Sequence, residues 1–390
     1  MLRFAGYRLG KRLGGSNGRA SFLAEREGSR PVTCVLKKLE PPLHGLGSLR
    51  LQQFDALCRQ VDLMRRLEHP GIVKTIAHHL PAGHTHGIPG SFVCLACQSA
   101  RHDDAATAPF LVMEHLHGLA LDRVARAQAR TGQPLPPALG AYVVHELARA
   151  LGHVHGLRDE RGRPLAIVHG QLRPKEVMLL RGGEVKLLPF GSRDVDVPLF
   201  DVTPLRGGPL PGVYLAPEQL LSRPIDARAD VFALGAILWE LLVGVPLFGA
   251  GSENDAIGKV LACEVPRPSS LCPQIPSGLD AIVTRALSRD PGRRHPSADA
   301  LAEELVRGLP PRSKLLMHTA SLIASVREPG SRVRGAGPPP IPRHARTRRT
   351  TPVPPPLPMP TRHTTPLPTP IESLAIVASD KITMSPAPTE

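Results

Sequence analysis

Side chains able to do chemistry gather in two stretches of this chain of 390 residues. Between Leu165 and Gly191, LAIVHGQLRPKEVMLLRGGEVKLLPFG, a loop with His169, Gln171, Arg173 and Glu176 runs into two apolar segments. Glu176 can ligate a hard cation through oxygen. Gln171 cannot accept a proton near neutral pH and so cannot act as a general base. The second stretch, Leu80–Pro109, holds His84, His86, Cys94, Cys97, His102, Asp103 and Asp104. A single CxxC beside histidines is half of a zinc site. Cys94 and Cys97 also lie in SFVCLACQ, which reads as an apolar strand, and no second clean ligand pair accompanies them. Zinc is therefore not expected.

The surrounding pattern supplies elements to hold these groups. Val177–Leu180 and Val185–Leu188 flank Arg181-Gly182-Gly183, which argues for a short hairpin with glycine at the positive-φ position of its turn. Leu9–Ala24 reads as strand, glycine turn, strand, and Cys34-Val35-Leu36-Lys37 as a further strand. In Leu49–Leu67 the apolar positions Leu51, Phe54, Cys58, Val61 and Met64 recur at helical spacing. Pro136-Pro137 opens a helix whose stripe Leu139, Val143, Leu147, Leu151 and Val154 marks a core face. Val231–Phe248, the longest apolar run, carries Glu240 and follows Asp230. A membrane span would place that acid in hydrocarbon, so a buried helix is expected instead.

In order, these segments resemble protein kinases, in particular the bacterial eukaryotic-like (Hanks-type) Ser/Thr kinases. The glycine turn stands where the family has GxGxxG, with Gly14 first, Ser16 second, Arg19 third, and Ser21 in place of the valine that packs on adenine. CVLK stands for VAIK, His69–Val73 for HPNIV, and Phe110–Leu116 for the fifth strand and hinge, with Met113 as gatekeeper. Leu165–Gly191 stands for HRDLKPEN and DFG. Tyr214, Ala216, Pro217 and Glu218 match the end of the activation segment, and Asp226–Gly235 and Asp290–Ser297 match two later motifs. The resemblance covers residues 7–309 and implies an α+β, two-lobed protein-kinase fold. Its parts would be a small, mainly β lobe (7–113) with one helix, a hinge (114–118) and a large, mainly α lobe (119–309). It also implies ATP as cofactor, with phosphates over Gly14 and Lys37 and adenine on the backbone of Glu114 and Leu116.

Within that resemblance the packing positions match and the chemical ones depart. The helix glutamate that pairs with the lysine is Gln60, and Asp62, two residues on, points to a different face. The catalytic Asp is Gln171. The DFG Asp is Pro189, which has no side-chain oxygen, and the metal-binding Asn is Glu176, the one candidate metal ligand. The loop lysine is Arg173, the arginine that reads an activation-loop phosphate is Gly170, and the threonine supporting the catalytic Asp is Pro211. In contrast, His169, Met64, Phe190 and Asp230 occupy the regulatory spine and its anchor, and Arg294 stands to pair with Glu218. No catalytic residue is expected on this pattern. The resemblance then implies a pseudokinase kept for regulation or scaffolding, binding ATP weakly and without a metal, with magnesium argued against. Two competing readings are an active unconventional Ser/Thr kinase using Glu176 and Lys37, and a nucleotide sensor that binds ATP without transferring it. The implied partners are other signalling proteins, an active kinase or a phosphorylation substrate among them; no nucleic-acid motif is evident.

Composition bounds the ends. Eighteen of the 44 prolines lie in residues 310–390, so the folded part is expected to end near Leu309, ahead of a Pro/Thr/Arg-rich low-complexity tail. That tail carries 11 Lys+Arg against 4 Asp+Glu, which is 7 of the net +14 charges. Thr351, Thr365 and Thr369, each before proline, are candidate phosphoacceptors. The six cysteines are scattered, unlike a secreted disulfide framework. MLRFAGYRLGKRLGG lacks the apolar core of a signal peptide, so a cytoplasmic location is expected.

Overall fold

The structure, a computed structural model, describes residues 2–16, 19–28, 31–39, 57–58, 60–80, 109–131, 134–188, 214–249 and 253–326. These belong to one compact unit, Met1–Ser331; a second unit, Arg332–Glu390, lies wholly outside the described residues. So do Thr351, Thr365 and Thr369, most of Leu80–Pro109, and Pro189, Phe190 and Pro211.

The small lobe is an antiparallel sheet in the order β1-β2-β3-β4-β6-β5. Its strands are β1 (Leu2–Phe4), β2 (Tyr7–Ser16), β3 (Arg19–Arg26), β4 (Thr33–Leu39), β5 (Thr75–His79) and β6 (Phe110–Glu114). Alternation sets its faces. Tyr7, Leu9, Ala24, Cys34 and Leu36 turn inward onto Val112, while the residues between them are more exposed. Residues 57–58 and 60–64 are helical, and Leu57, Cys58, Val61 and Met64 are buried, as the spacing of Leu49–Leu67 predicts for this part.

The large lobe is mainly helical. Its helices are α1 (Leu121–Thr131), α2 (Pro137–His155), α3 (Pro217–Leu220), α4 (Arg228–Val243), α5 (Glu253–Ala262), α6 (Pro268–Leu271), α7 (Ser277–Ala286), α8 (Ala298–Val306) and α9 (Arg312–Ser325). α2 presents the predicted stripe to the core, and α4 is buried on every face, from Ala229 to Leu242. α4 therefore acts as the post on which the lobe is built. No described helix is long and apolar enough to cross a membrane.

A second sheet, β7 (Gly118–Ala120), β8 (Val177–Leu180) and β9 (Val185–Leu187), lies beneath the hinge. The predicted hairpin is present, and Gly183 in its turn has φ +94°. β9 is bonded to the small lobe. Leu187 N–H donates to Gly71 O at 2.8 Å, and Val73 N–H donates to Leu187 O at 3.0 Å.

The fold departs from the expected boundary at Leu309. The chain forms α9 beyond it, with Leu315, Thr319 and Ile323 buried against α2 and β8. A side chain at Gly183 would come within 2.2 Å of Leu316 O, so α9 seats directly on the turn of the β8–β9 hairpin. Proline density over residues 310–390 hides this helix, because only Pro310 and Pro311 precede it and none falls inside. In the sequence, Leu315, Thr319 and Ile323 at i, i+4, i+8 spacing are the signal that marks it.

Candidate functional site

In the small lobe, β4 carries Lys37 beside the helical turns at 57–64. Lys37 Nζ donates to Gln60 Oε1 at 2.6 Å. The lysine and the helix are thus brought together where the alignment places them, but the partner is a fully buried neutral amide. Asp62 does point elsewhere: it accepts from Arg65 at 2.5 Å and from Arg66 at 3.0 Å on the outer face. Gln60 thus orients Lys37 through an amide where the family has a carboxylate.

The loop that follows α2 is held from below. Asp230 at the start of α4 accepts from His169 N–H at 2.8 Å and Gly170 N–H at 2.7 Å, and pairs with His155 Nε2 at 2.8 Å. A buried carboxylate taking this many donors is well compensated for its desolvation. Gly170 has φ +69°, a conformation glycine adopts freely and arginine, its family counterpart, rarely. Gly170 O accepts from Gln219 Nε2 at 2.7 Å, and Gln219 Oε1 accepts from Ala216 N–H at 2.9 Å. Gln219 thereby ties the loop to the end of the activation segment. The sequence reading passed over it, since only its position after Glu218 marks it.

The loop also carries Gln171, Arg173 and Glu176, all partly buried. Arg173 donates to Glu176 Oε1 at 3.0 Å across the short 3₁₀ turn Pro174–Glu176. The two family positions that meet phosphate and metal are here paired with each other. Arg173 Nε and Glu176 Oε2 remain buried without a partner among the described residues. One free carboxylate oxygen, already beside a guanidinium, is a poor start for an octahedral cation. No group of three His, Cys, Asp or Glu among the described residues is placed to hold a metal, and the sequence puts Pro189 where the second acidic ligand would stand. The donor set does not fit magnesium. Next to Arg173, Lys175 has its pKa lowered by burial first and by Arg173 second.

The hinge, residues 114–118, joins β6 to β7. Glu114 accepts from Lys74 N–H at 2.8 Å and forms an ion pair with Lys186 of β9, so its side chain braces the two lobes. Leu116 is half-buried against the core. Gly14 sits in β2 opposite Ser21, with open space around its Cβ position. Deeper in the large lobe, Arg294 grips Glu218 through two bonds of 2.6 and 2.8 Å, both side chains buried. Tyr214 donates to Glu240 Oε2 at 2.6 Å. Burial raises the Glu240 pKa, partly opposed by that hydrogen bond, and burial together with the Glu240 charge pushes the Tyr214 pKa well up.

A two-lobed fold with a lysine in the third strand of the small lobe's main meander, a clamped loop and a buried Glu–Arg pair is the framework of a protein kinase. The protein kinase domain family model matches residues 48–306, and the chain belongs to that family. Among curated relatives, a tyrosine-protein kinase MasK of Myxococcus xanthus is 33% identical over 198 residues, 50% of this chain and 30% of the relative. The serine/threonine-protein kinase PksC of Streptomyces coelicolor is 31% identical over 206 residues, 52% and 35% of the two chains. The serine/threonine-protein kinase PknB of Mycobacterium leprae is 30% identical over 220 residues, 55% and 33%. The chain thus spans about a third of the length of these relatives. A double mutant of the Mycobacterium tuberculosis PknI kinase domain superposes with a TM-score of 0.51 at 21% identity, over 78% of this chain and 96% of that one.

Proposed function

We infer that this protein is a kinase-fold regulator or scaffold whose phosphotransfer is lost or minimal. One observation carries the reading. The catalytic loop is held firmly by Asp230 and Gln219, yet the residue it presents for proton transfer is Gln171. A loop that had merely decayed would not keep such a clamp. Loss of a general base costs about 10²–10⁴-fold in rate, and the Arg173–Glu176 pair further withdraws a cation from phosphate and an acid from metal.

Weak ATP binding belongs to the same proposal. Lys37 would meet the phosphates beside Gly14, and the backbone of Glu114 and Leu116 would meet adenine. ATP supplies the transferable phosphate in family members; here the chain's own residues bind and orient. The partners proposed are signalling proteins, an active kinase or a phosphorylation substrate, in the cytoplasm. The deciding experiment is a phosphotransfer assay on the purified chain with ATP, magnesium and generic Ser, Thr and Tyr substrates. Transfer at background level is expected. Magnesium-dependent labelling abolished by Lys37→Ala would overturn the reading in favour of an unconventional kinase.

Glu176 is the feature that favours this second reading, since Oε2 is buried without a partner among the described residues and would be the metal ligand. In that case Glu176→Gln removes the activity.

A further inference from the structure

α9 and the hinge line an open cavity of about 530 Å³ that shares Leu116 with the residues proposed to meet ATP but is not lined by Lys37, Gln60, Arg173 or Glu176. One wall is the hinge, with His115 and His117; another is the hairpin turn, with Arg181; the third is α9, with Ala320, Ile323 and Ala324. The volume falls in the range of small-molecule sites. We propose that this cavity binds a small organic anion, a carboxylate or sulfonate on a compact apolar body.

The chemistry of the walls supports that class. α9 contributes only aliphatic side chains to the lining, and among the described residues no Asp or Glu lines the cavity. Arg181 is exposed, and its side chain makes no hydrogen bond or ion pair among the described residues. Its backbone is fixed, because Arg181 N–H donates to His117 O at 2.9 Å. His115 and His117 stand edge to face, 4.6 Å between ring centroids, and add ring nitrogens that can donate. The last turn of α9 also reaches the cavity and opposes an anion with about half a negative charge. The full charge of Arg181 outweighs it. The hinge forms one wall, so a ligand here touches the segment that connects the lobes.

The test is a fluorescence titration of the full chain with 8-anilinonaphthalene-1-sulfonate, an aryl sulfonate. Saturable binding at one site, unaffected by saturating ATP, is expected. Arg181→Glu should weaken it about tenfold or more, and Ala324→Phe should block it. Both positions are exposed, so both variants should keep the parent's near-ultraviolet circular dichroism and melting temperature. The proposal is overturned by an absence of saturable binding, by binding that both variants retain, or by displacement of the dye with ATP. It is also overturned if the uncharged N-phenyl-1-naphthylamine binds as tightly and is equally sensitive to Arg181→Glu. None of these outcomes depends on whether the protein transfers phosphate.

Discussion

The catalytic loop has two sides that meet their surroundings on different terms. Beneath it, His169 and Gly170 give both amides to Asp230, and Gly170 O receives Gln219. Further in, Arg294 and Glu218 close a bidentate pair out of water. At the positions matched to catalysis, Gln171 cannot take a proton, Arg173 and Glu176 pair with one another, and Lys37 meets an amide. The lower side is a network in which each loss strands a buried charge or amide. On the upper side the Gln171 side chain lacks such a tie among the described residues, whereas Gln60 and the Arg173–Glu176 pair are themselves largely buried. The loop's backbone support and the side chains at its catalytic positions thus rest on different partners.

Four experiments press on that contrast, the largest expected effect first. Restoring the upper side should restore chemistry if the frame is sound. Gln171→Asp with Pro189→Asp is expected to raise magnesium-dependent phosphate transfer over either single change, toward the roughly 10²–10⁴-fold a general base contributes. A radiolabel assay reads this, and no gain would mean that the frame itself is unfit. On the lower side, Glu218→Ala leaves Arg294 buried and unpaired, and should cost about 3–5 kcal/mol of stability in urea denaturation. Leu315→Ala, which opens a cavity under α9, should cost about 2–5 kcal/mol. An unchanged midpoint would detach α9 from the cooperative unit. Gln171→Ala marks the other extreme and should move stability by less than about 0.5 kcal/mol.

Glu240 gives a pH-dependent version. Burial raises its pKa, so the folded state holds that proton more tightly than the unfolded chain does. Stability from this group is thus greatest at acid pH and falls as pH rises from the ordinary glutamate pKa through the raised one. Glu240→Gln keeps an acceptor for Tyr214 and should remove that fall. The gain over the parent should be near zero at acid pH and grow toward neutrality, as read by urea midpoints across pH.

Much of this was legible from residue order alone. The hairpin around Gly183, the stripe on α2 and the buried run of α4 follow from spacing, because local periodicity fixes them, while the Glu218–Arg294 pair was implied by the family resemblance. The partner of Arg173 did not. Arg173 and Glu176 read separately as the loop-lysine position and a candidate metal ligand, and only the 3₁₀ turn between them brings guanidinium to carboxylate. α9 was hidden by the proline-rich average of the segment around it, although its own Leu315, Thr319 and Ile323 repeat at helical spacing.

The sequence by itself determined which chemical groups exist: an amide at Gln60 and Gln171 and a ring without oxygen at Pro189, since a side chain's ability to take a proton or ligate a metal is its own property. Tertiary structure decided which charges cancel, what clamps the loop, and that a helix beyond the family-matched segment walls a cavity against the hinge. Those depend on distances between groups far apart in the chain, and hydrogen bonding and burial act only across such distances once the fold has set them.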